Sequence, residues 1–317
     1  MTHFWSLGRT IASCVALRLP RVSATKAPDL RFVRAHDAAS LLAQQPTEAQ
    51  MVRAESPSMA LLKLGPQYGL EFKHHSIRLR FVFDLDANEV RFASTEDVED
   101  ELLASILEGP VLGMMLRLSG QALLHASAVR WRGHGIAISA DSGHGKSTLA
   151  ALLCQHGASA WTDDVLAYTP NTAQAFGDAR PSRLSPQSQE AAGLTHEGAA
   201  IYDGSHKLFS TPIPTLSDLH LQAQALDHIL ILGARVDSDQ PEMTTLTGTR
   251  ASAAILTGRF PSWLREARFQ REAFEAAEAL TKHVPVTVIH LPDGLLRLRE
   301  SIHRLSDWLD KSVPHDT

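Results

Sequence analysis

The sequence predicts an α/β fold in which strands alternate with helices over most of the chain. From about residue 120 onward, short apolar runs alternate with segments whose apolar residues recur at helical spacing. The signal before residue 60 is weak, and residues 60–118 show only a few strand and helix patterns. We therefore expect a small α+β region over residues 1–118 and an α/β domain over residues 119–317.

The N-terminal region contains a hairpin pattern followed by two helical segments. Gly109-Pro110 separates the two helices, because proline has no backbone N–H and disfavours helix in the residue before it. The predicted elements are strands at 77–83 and 89–92 and helices at about 98–107 and 111–118.

The second domain contains a longer series of alternating strands and helices. Residues 170–215 are rich in Pro, Ser, Gly and Gln, which predicts long loops with short elements. Such loops at a sheet edge are where substrate contacts usually lie. The predicted elements are strands at 121–131, 135–139, 158–162, 228–232 and 284–290, and helices after residue 146, at 265–279 and after Asp293.

A glycine-rich loop, A-D-S-G-H-G-K-S, spans residues 140–147. It follows a predicted strand and precedes a predicted helix, which is the context of a phosphate-binding loop rather than of a chance glycine turn. Small residues let backbone N–H groups converge on phosphate oxygens, while the lysine adds charge and the serine hydroxyl holds Mg²⁺. The predicted ATP-binding residues are Asp141, Ser142, Gly143, His144, Gly145, Lys146, Ser147 and Thr148.

The strict form of this motif has glycine at its first position, where this chain has Ala140. Alanine is the smallest replacement, but it adopts positive φ only at a cost. If Ala140 spoils the loop geometry, a nucleotide-binding regulator without catalytic activity becomes the favoured interpretation.

Two adjacent acids, Asp163 and Asp164, follow the predicted strand at 158–162. If that strand is parallel to the strand before the loop, both carboxylates emerge at the carboxyl edge of the sheet, beside Lys146. Phosphoryl transfer uses this arrangement, since one carboxylate helps hold Mg²⁺ and another accepts a hydroxyl proton.

Composition narrows the class of protein and its partners. The net charge of −5 indicates no basic surface for nucleic acid, and no apolar run is long enough to span a membrane. Two cysteines are too few for a disulfide framework, which predicts a reducing, cytoplasmic compartment. Neither a zinc-ligand spacing nor the serine-hydrolase elbow motif is present in the sequence.

Residues 123–168 resemble the catalytic domain of the HPr kinase/phosphorylase family, including its smaller relatives found with lasso-peptide genes. The matching segments are L-L-H-A-S-A-V at 123–129, D-S-G-H-G-K-S-T-L at 141–149 and T-D-D-V at 162–165. The resemblance implies a phosphoenolpyruvate-carboxykinase-like phosphate-loop fold and Mg-ATP-dependent transfer of phosphate to a serine hydroxyl.

The resemblance also implies roles for single residues. Asp163 matches the family's base, and Asp164 would help Ser147 with the metal. His125 matches a histidine near the reacting phosphate, although a lone histidine in an apolar strand is more often a core residue. Weaker similarities to the family around Arg183 and Lys207 make these residues candidate phosphate or acceptor contacts.

The chain also departs from the bifunctional family members. Besides Ala140, Thr148 stands where they have glutamate, and their Gly-Arg-Asn signature is absent. These departures argue against HPr as the substrate and against phosphorolysis.

The expected acceptor is a serine on a peptide or small protein, such as a lasso-peptide precursor. A small-molecule kinase remains the second interpretation, and assembly into a homo-oligomer is left open.

Overall fold

A computed structural model describes residues 1–24, 27–53, 58–141, 143–178, 182–194, 196–201, 206–210 and 222–312. The protein is a mixed α/β structure with several sheets. It forms two compact units, Met1–Gly120 with Ala199–Lys207 and Gln121–Gly198 with Leu208–Thr317. No helix in the described ranges is both long and apolar enough to cross a membrane.

The first unit contains an eight-stranded sheet of order β1-β2-β3-β8-β7-β6-β5-β4. The predicted hairpin is confirmed as β7 and β8, which pair antiparallel. The elements are β1 (Thr2–Ser6), β2 (Arg9–Ser13), β3 (Leu30–Arg34), α1 (Ala38–Ala43), β4 (Glu48–Arg53), β5 (Ser58–Leu64), β6 (Gln67–His74), β7 (Ile77–Asp84) and β8 (Glu89–Ser94).

Residues 1–60 show only a weak secondary-structure pattern in the sequence, yet they form β1 to β4 and the start of β5. Strands β1, β2 and β3 have only five residues each, too short for a clear periodicity. Moreover, β3 pairs in parallel with both β2 and β8. Parallel pairs join segments distant in sequence, so no local pattern reveals them.

The predicted break at Gly109-Pro110 is wrong. Helix α2 (Asp100–Ile106) continues through a π-helical turn, Leu107–Val111, into α3 (Leu112–Leu118). Pro110 lies inside that turn, and its neighbours are buried. A π-helical turn changes the hydrogen-bond pattern from that of the α-helix, which lets the chain pass a proline without ending the helix.

The second unit contains a six-stranded sheet of order β12-β10-β11-β19-β21-β20 and a smaller sheet of order β18-β14-β13-β9. A further three-stranded sheet has the order β15-β17-β16. The strands are β9 (Ala122–Leu124), β10 (Ala126–Trp131), β11 (His134–Ser139), β12 (Ser159–Thr162), β13 (Leu166–Thr169), β14 (Gln174–Phe176), β15 (Ser182–Leu184), β16 (His196–Ile201), β17 (His206–Ser210), β18 (Gln224–Ala225), β19 (His228–Leu232), β20 (Glu242–Leu246) and β21 (Val286–His290). The helices are α4 (Lys146–Gln155), α5 (Pro186–Ala191), α6 (Gly248–Thr257), α7 (Ala267–Leu280) and α8 (Leu295–Ser312).

Helices cover both faces of the six-stranded sheet. Ile136 and Ile138 of β11 belong to a core cluster with residues of α4 and α8. Ala137, which points to the other face, belongs to a cluster with residues of α6 and α7. Strands β11, β19 and β21 are parallel, so their carboxyl ends meet at one edge. The loop that follows β11 therefore opens at the edge where α/β sheets bind ligands.

The single long strand predicted over 121–131 is wrong, because the chain changes sheet at His125. The backbone N–H of His125 donates to the carbonyl of Gly258 at 2.6 Å, which separates β9 from β10. A second change of sheet occurs at Asp163-Asp164, between β12 and β13. Since β9 pairs with β13 and β10 pairs with β12, the two changes lie side by side.

Strand β12 does not pair with a parallel neighbour as expected, but its direction is the expected one. It pairs antiparallel with β10, and β10 pairs antiparallel with β11. Strand β12 therefore runs in the same direction as β11. Its carboxyl end, with Asp163, lies at the same edge as the loop after Ser139.

A buried histidine gives the second unit a pH-dependent stability. His228 of β19 bonds Thr287 at 2.9 Å, packs edge-on to Trp308, and has no described partner at Nδ1. Burial lowers the pKa of His228 from 6.5 to about 4, which Asp227 partly opposes. Between these values the unfolded chain binds the proton and the folded chain does not.

We therefore expect the free energy of unfolding to fall as the pH falls from 6.5 to about 4, with a contribution from His228 of about 3 kcal/mol. His228→Gln should flatten this part of the stability curve, measured by urea unfolding at successive pH values. An unchanged slope in the variant would contradict this role.

Candidate active site

The glycine-rich loop connects β11 to α4 and has the backbone conformation that its sequence suggests. Gly143 and Gly145 have φ of +84° and +92°, which glycine adopts without strain. Ala140 is buried and its φ is not positive, so glycine is not required there. Ser142 lies outside the described residues. The substitution at residue 140 is therefore compatible with the loop.

The lysine of the loop is held against the loop itself. Lys146 is only 7% exposed, and its Nζ donates to the carbonyl oxygens of Ala140 at 3.0 Å and Asp141 at 3.2 Å. A phosphate oxygen is a stronger acceptor for an ammonium group than a carbonyl is. The lysine can therefore direct its charge to an anion bound by the loop.

Asp163 is joined directly to the first turn of α4. Its Oδ1 accepts hydrogen bonds from Ser147 at 2.8 Å and from Ser127 at 2.6 Å. Its Oδ2 accepts the backbone N–H of Arg183 at 3.1 Å. The carboxylate is 4% exposed and is satisfied by three donors. It is a buried carboxylate that hydrogen bonds hold beside the loop serine.

Asp164 points to a different set of partners. Its Oδ2 lies 3.0 Å from Nη2 of Arg183, and its Oδ1 lies 3.2 Å from Nδ1 of His125. Its side chain is 25% exposed, so a bound molecule can reach it. Its φ is +81°, an uncommon conformation that aspartate tolerates better than most residues. Such backbone strain is often found at functional sites.

His125 is oriented by the turn that contains Asp164. Its Nδ1 lies 2.9 Å from the carbonyl oxygen of Asp164, and a carbonyl can only accept. Nδ1 therefore carries the proton, and Nε2 of a neutral ring is an acceptor. The ring stacks on Phe260 with centroids 5.9 Å apart. The histidine is part of the polar cluster at the sheet change rather than a core residue.

The other predicted site residues are less central. Asp141, Gly143 and His144 are exposed on the loop. The hydroxyl of Thr148 bonds Ser188 at 2.9 Å, so its side chain faces α5. Lys207 lies on β17, and its side chain is outside the described residues. The structure thus brings together Lys146, Ser147, Asp163, Asp164, His125 and Arg183.

The predicted metal pair is not joined in the expected way. The sequence interpretation grouped Ser147 with Asp164, whereas the hydroxyl of Ser147 bonds Asp163. Arg183 was predicted to contact a phosphate or the acceptor. In the structure it binds both aspartates. It therefore positions the Asp163-Asp164 turn, because it donates to one carboxylate from its backbone and to the other from its guanidinium.

Sequence reasoning missed two residues at this site. Ser127 follows His125 by two positions, a spacing that places side chains on the same face of an extended chain. That spacing was the available signal. Arg235 donates to the carbonyl of His144 at 3.1 Å. It is 89 residues after Lys146, and only the sheet order brings it to the loop.

The oxygen donors at the loop fit Mg²⁺. A serine hydroxyl and a carboxylate in contact are hard ligands of the kind that Mg²⁺ prefers, and the ion is usually completed by substrate phosphates. Within the described ranges, no group of three or more His, Cys, Asp or Glu side chains is placed to hold a metal ion.

Among the comparisons with known proteins, the one with solved structures gives matches. No protein-family model matches the sequence, and no curated protein matches it. The chain is similar to the solved structure of the Hpr(Ser) kinase/phosphatase from Coxiella burnetii, with 14% sequence identity and a TM-score of 0.29. The similarity covers 59% of this chain and 98% of the other.

Proposed function

We propose that the protein is an ATP-dependent serine kinase on a phosphoenolpyruvate-carboxykinase-like phosphate-loop fold. The acceptor is a serine hydroxyl on a peptide or small protein. The observation that carries the proposal is the hydrogen bond of Ser147, in the first turn of α4, with the buried carboxylate of Asp163. It unites a loop suited to phosphate with an acid suited to Mg²⁺.

The loop side of the site binds the nucleotide. The backbone N–H groups of the loop and the N-terminus of α4 carry partial positive charge, which attracts a phosphate. Lys146 adds a full positive charge. Ser147 and Asp163 would hold Mg²⁺, which neutralises charge on the phosphates. The contacts favour Asp163 for this role, the reverse of the division expected from the sequence resemblance.

The base side of the site is Asp164 with its two partners. In the proposed reaction, Asp164 accepts the proton of the serine hydroxyl while the serine oxygen attacks the γ-phosphorus and ADP leaves. The ion pair with Arg183 orients this carboxylate. His125 donates from Nδ1 toward the same residue and presents Nε2 as an acceptor. The partial exposure of Asp164 lets an acceptor reach it.

Two other interpretations compete with this one. A small-molecule kinase would use the same loop and aspartates, so the acceptor alone separates it from a peptide kinase. A nucleotide-binding regulator without catalytic activity would be favoured if Ala140 distorted the loop. The φ of Ala140 is not positive, so the loop does not require glycine at this position. The paired aspartates, each fixed by its own donors, favour catalysis.

The acceptor is tested by mass spectrometry. The full chain is incubated with Mg-ATP and serine-containing peptides, including those encoded beside its gene, and with sugars and nucleosides. We expect a gain of about 80 daltons, one phosphoryl group, on a peptide serine. Phosphorylation of a sugar or nucleoside and of no peptide would instead identify a small-molecule kinase.

Lys146→Ala tests the nucleotide site itself. Backbone contacts cannot replace the charge of the lysine, so we expect Mg-ATP affinity or turnover to fall by at least about tenfold, or about 1.4 kcal/mol. Isothermal titration calorimetry and an ATPase assay measure the two effects. Lys282→Ala, which removes an exposed lysine of the turn after α7, is the control. Equal affinity and activity in wild type and Lys146→Ala would contradict the proposed site.

A further inference from the structure

A second cation, Arg235, lies directly on the glycine-rich loop. Its Nη2 donates to the carbonyl of His144 at 3.1 Å. A Cβ atom built on Gly145 would lie 2.8 Å from the same Nη2, closer than real contacts allow. The guanidinium is therefore packed against the loop backbone at the residue before Lys146.

The sheet explains how a residue so distant in sequence comes to the loop. Strand β19 is the parallel neighbour of β11, and Ile231 is aligned with Ser139, the last residue of β11. The segments that follow the two strands therefore leave the sheet at the same edge. Immediately beyond Arg235, the N–H of Val236 donates to the carbonyl of Leu291 at 3.1 Å, which fixes the path of the segment.

The charge of Arg235 has no carboxylate partner among the described residues. Asp237 lies two positions away, but it pairs with Arg297 at 3.0 Å, and Asp239 faces the same arginine. The one described hydrogen bond of Arg235 uses a single guanidinium nitrogen and a neutral acceptor. Arg235 is exposed, so its other donors can reach a ligand.

We propose that Arg235 is a second phosphate-binding cation, which contacts the phosphate chain of the nucleotide held by the loop. This inference rests on the proposed function. Guanidinium groups bind phosphate through paired N–H donors, and an arginine supplied by the same chain is a known way to stabilise phosphoryl transfer. Two cations on one small loop also repel each other, and a bound anion would offset that repulsion.

A purely supporting role is the competing explanation, because Arg235 could hold the loop only through the carbonyl of His144. The two roles differ in their dependence on salt. A direct contact with phosphate is screened by ions, so its removal weakens ATP binding more at low salt than at high salt. Loss of a loop support lowers affinity by the same factor at every salt concentration.

The experiment is calorimetry with Mg-ATP, Mg-ADP and adenosine, from about 50 to 500 mM NaCl, a range over which the screening length falls severalfold. We expect Arg235→Ala to weaken Mg-ATP binding about tenfold at low salt, or about 1.4 kcal/mol, and much less at high salt. Arg235→Lys should recover part of the loss, and adenosine binding should not change. Arg271→Ala, at an exposed arginine of α7, is the matched control.

Three results would overturn the inference. Wild-type affinity in Arg235→Ala, with nucleotide binding intact in the wild type, removes Arg235 and leaves the proposed function standing. A loss of affinity that is independent of salt assigns Arg235 to loop support only. A wild-type protein that binds no Mg-ATP refutes the inference and the proposed function together.

Discussion

Asp163→Asn is expected to lower phosphoryl transfer at least about 100-fold and to raise the Mg²⁺ concentration needed for half-maximal activity by about 10- to 100-fold. Asparagine has the same shape but lacks the charge that a divalent ion requires. In the folded protein, Asp163 accepts from Ser127 and Ser147 at one oxygen and from the N–H of Arg183 at the other. An amide can offer an acceptor to only one of these sides.

The backbone N–H of Arg183 cannot become an acceptor, whereas serine hydroxyls can rotate. We therefore expect the amide oxygen of the substituted side chain to face Arg183 and its NH₂ group to face the serines. The hydroxyl of Ser147 would then accept from the amide instead of donating to a carboxylate. We expect this rearrangement to leave the fold intact and to remove the carboxylate charge that would bind Mg²⁺.

The measurement is the initial rate of peptide phosphorylation over a range of Mg²⁺ concentrations. High Mg²⁺ should restore part of the activity of Asp163→Asn, because the defect lies in metal affinity. Asp97→Asn, at an exposed aspartate of the first unit, controls for the loss of one negative charge. A variant with the wild-type rate and wild-type Mg²⁺ dependence would show that Asp163 has no role at the metal.

The sequence predicted those features that depend on local pattern. The strand–loop–helix unit around Lys146, the buried strand at 228–232 and the final amphipathic helix are all present. In the final helix, Leu298, Ile302, Leu305 and Leu309 are buried as their spacing indicates. Each of these features has a periodic pattern of apolar residues or a short motif, so residues close in sequence are enough to predict it.

Features that depend on long-range pairing could not be predicted in this way. The sequence is apolar on both sides of His125, and the bond from its backbone N–H to Gly258 marks where the chain changes sheet. Arg235 reaches the loop through the sheet order, and Ser127 acquires a role through its contact with Asp163. Hydrogen bonds between distant segments leave no periodic trace in a single sequence.

The proposed division of roles between the aspartates also depends on contacts that a single sequence does not show. Adjacent acids have the same chemistry, and the sequence resemblance suggested the opposite assignment. The positive φ of Asp164 turns its side chain away from that of Asp163, toward His125 and Arg183. The turn thus holds a buried carboxylate at the loop and, next to it, a partly exposed one that an acceptor can reach.

Asp164→Asn is accordingly expected to have the largest effect on the chemical step, a fall of about 10²- to 10⁴-fold in kcat, because the proton acceptor is lost. ATP affinity and the Mg²⁺ requirement should stay close to those of the wild type, since Ser147 and Asp163 keep their contact. Asparagine is the appropriate replacement. Like aspartate, it tolerates positive φ, whereas alanine would add backbone strain to the loss of the carboxylate.

Single-turnover phosphorylation and ATP calorimetry separate the two effects for Asp164→Asn. Excess Mg²⁺ should not rescue this variant, in contrast to Asp163→Asn. The same rate loss and the same metal dependence in both variants would refute the division of roles while leaving the site in place. A wild-type rate in Asp164→Asn would exclude it as the base and leave His125, whose Nε2 is an acceptor when the ring is neutral, as the remaining candidate within this cluster.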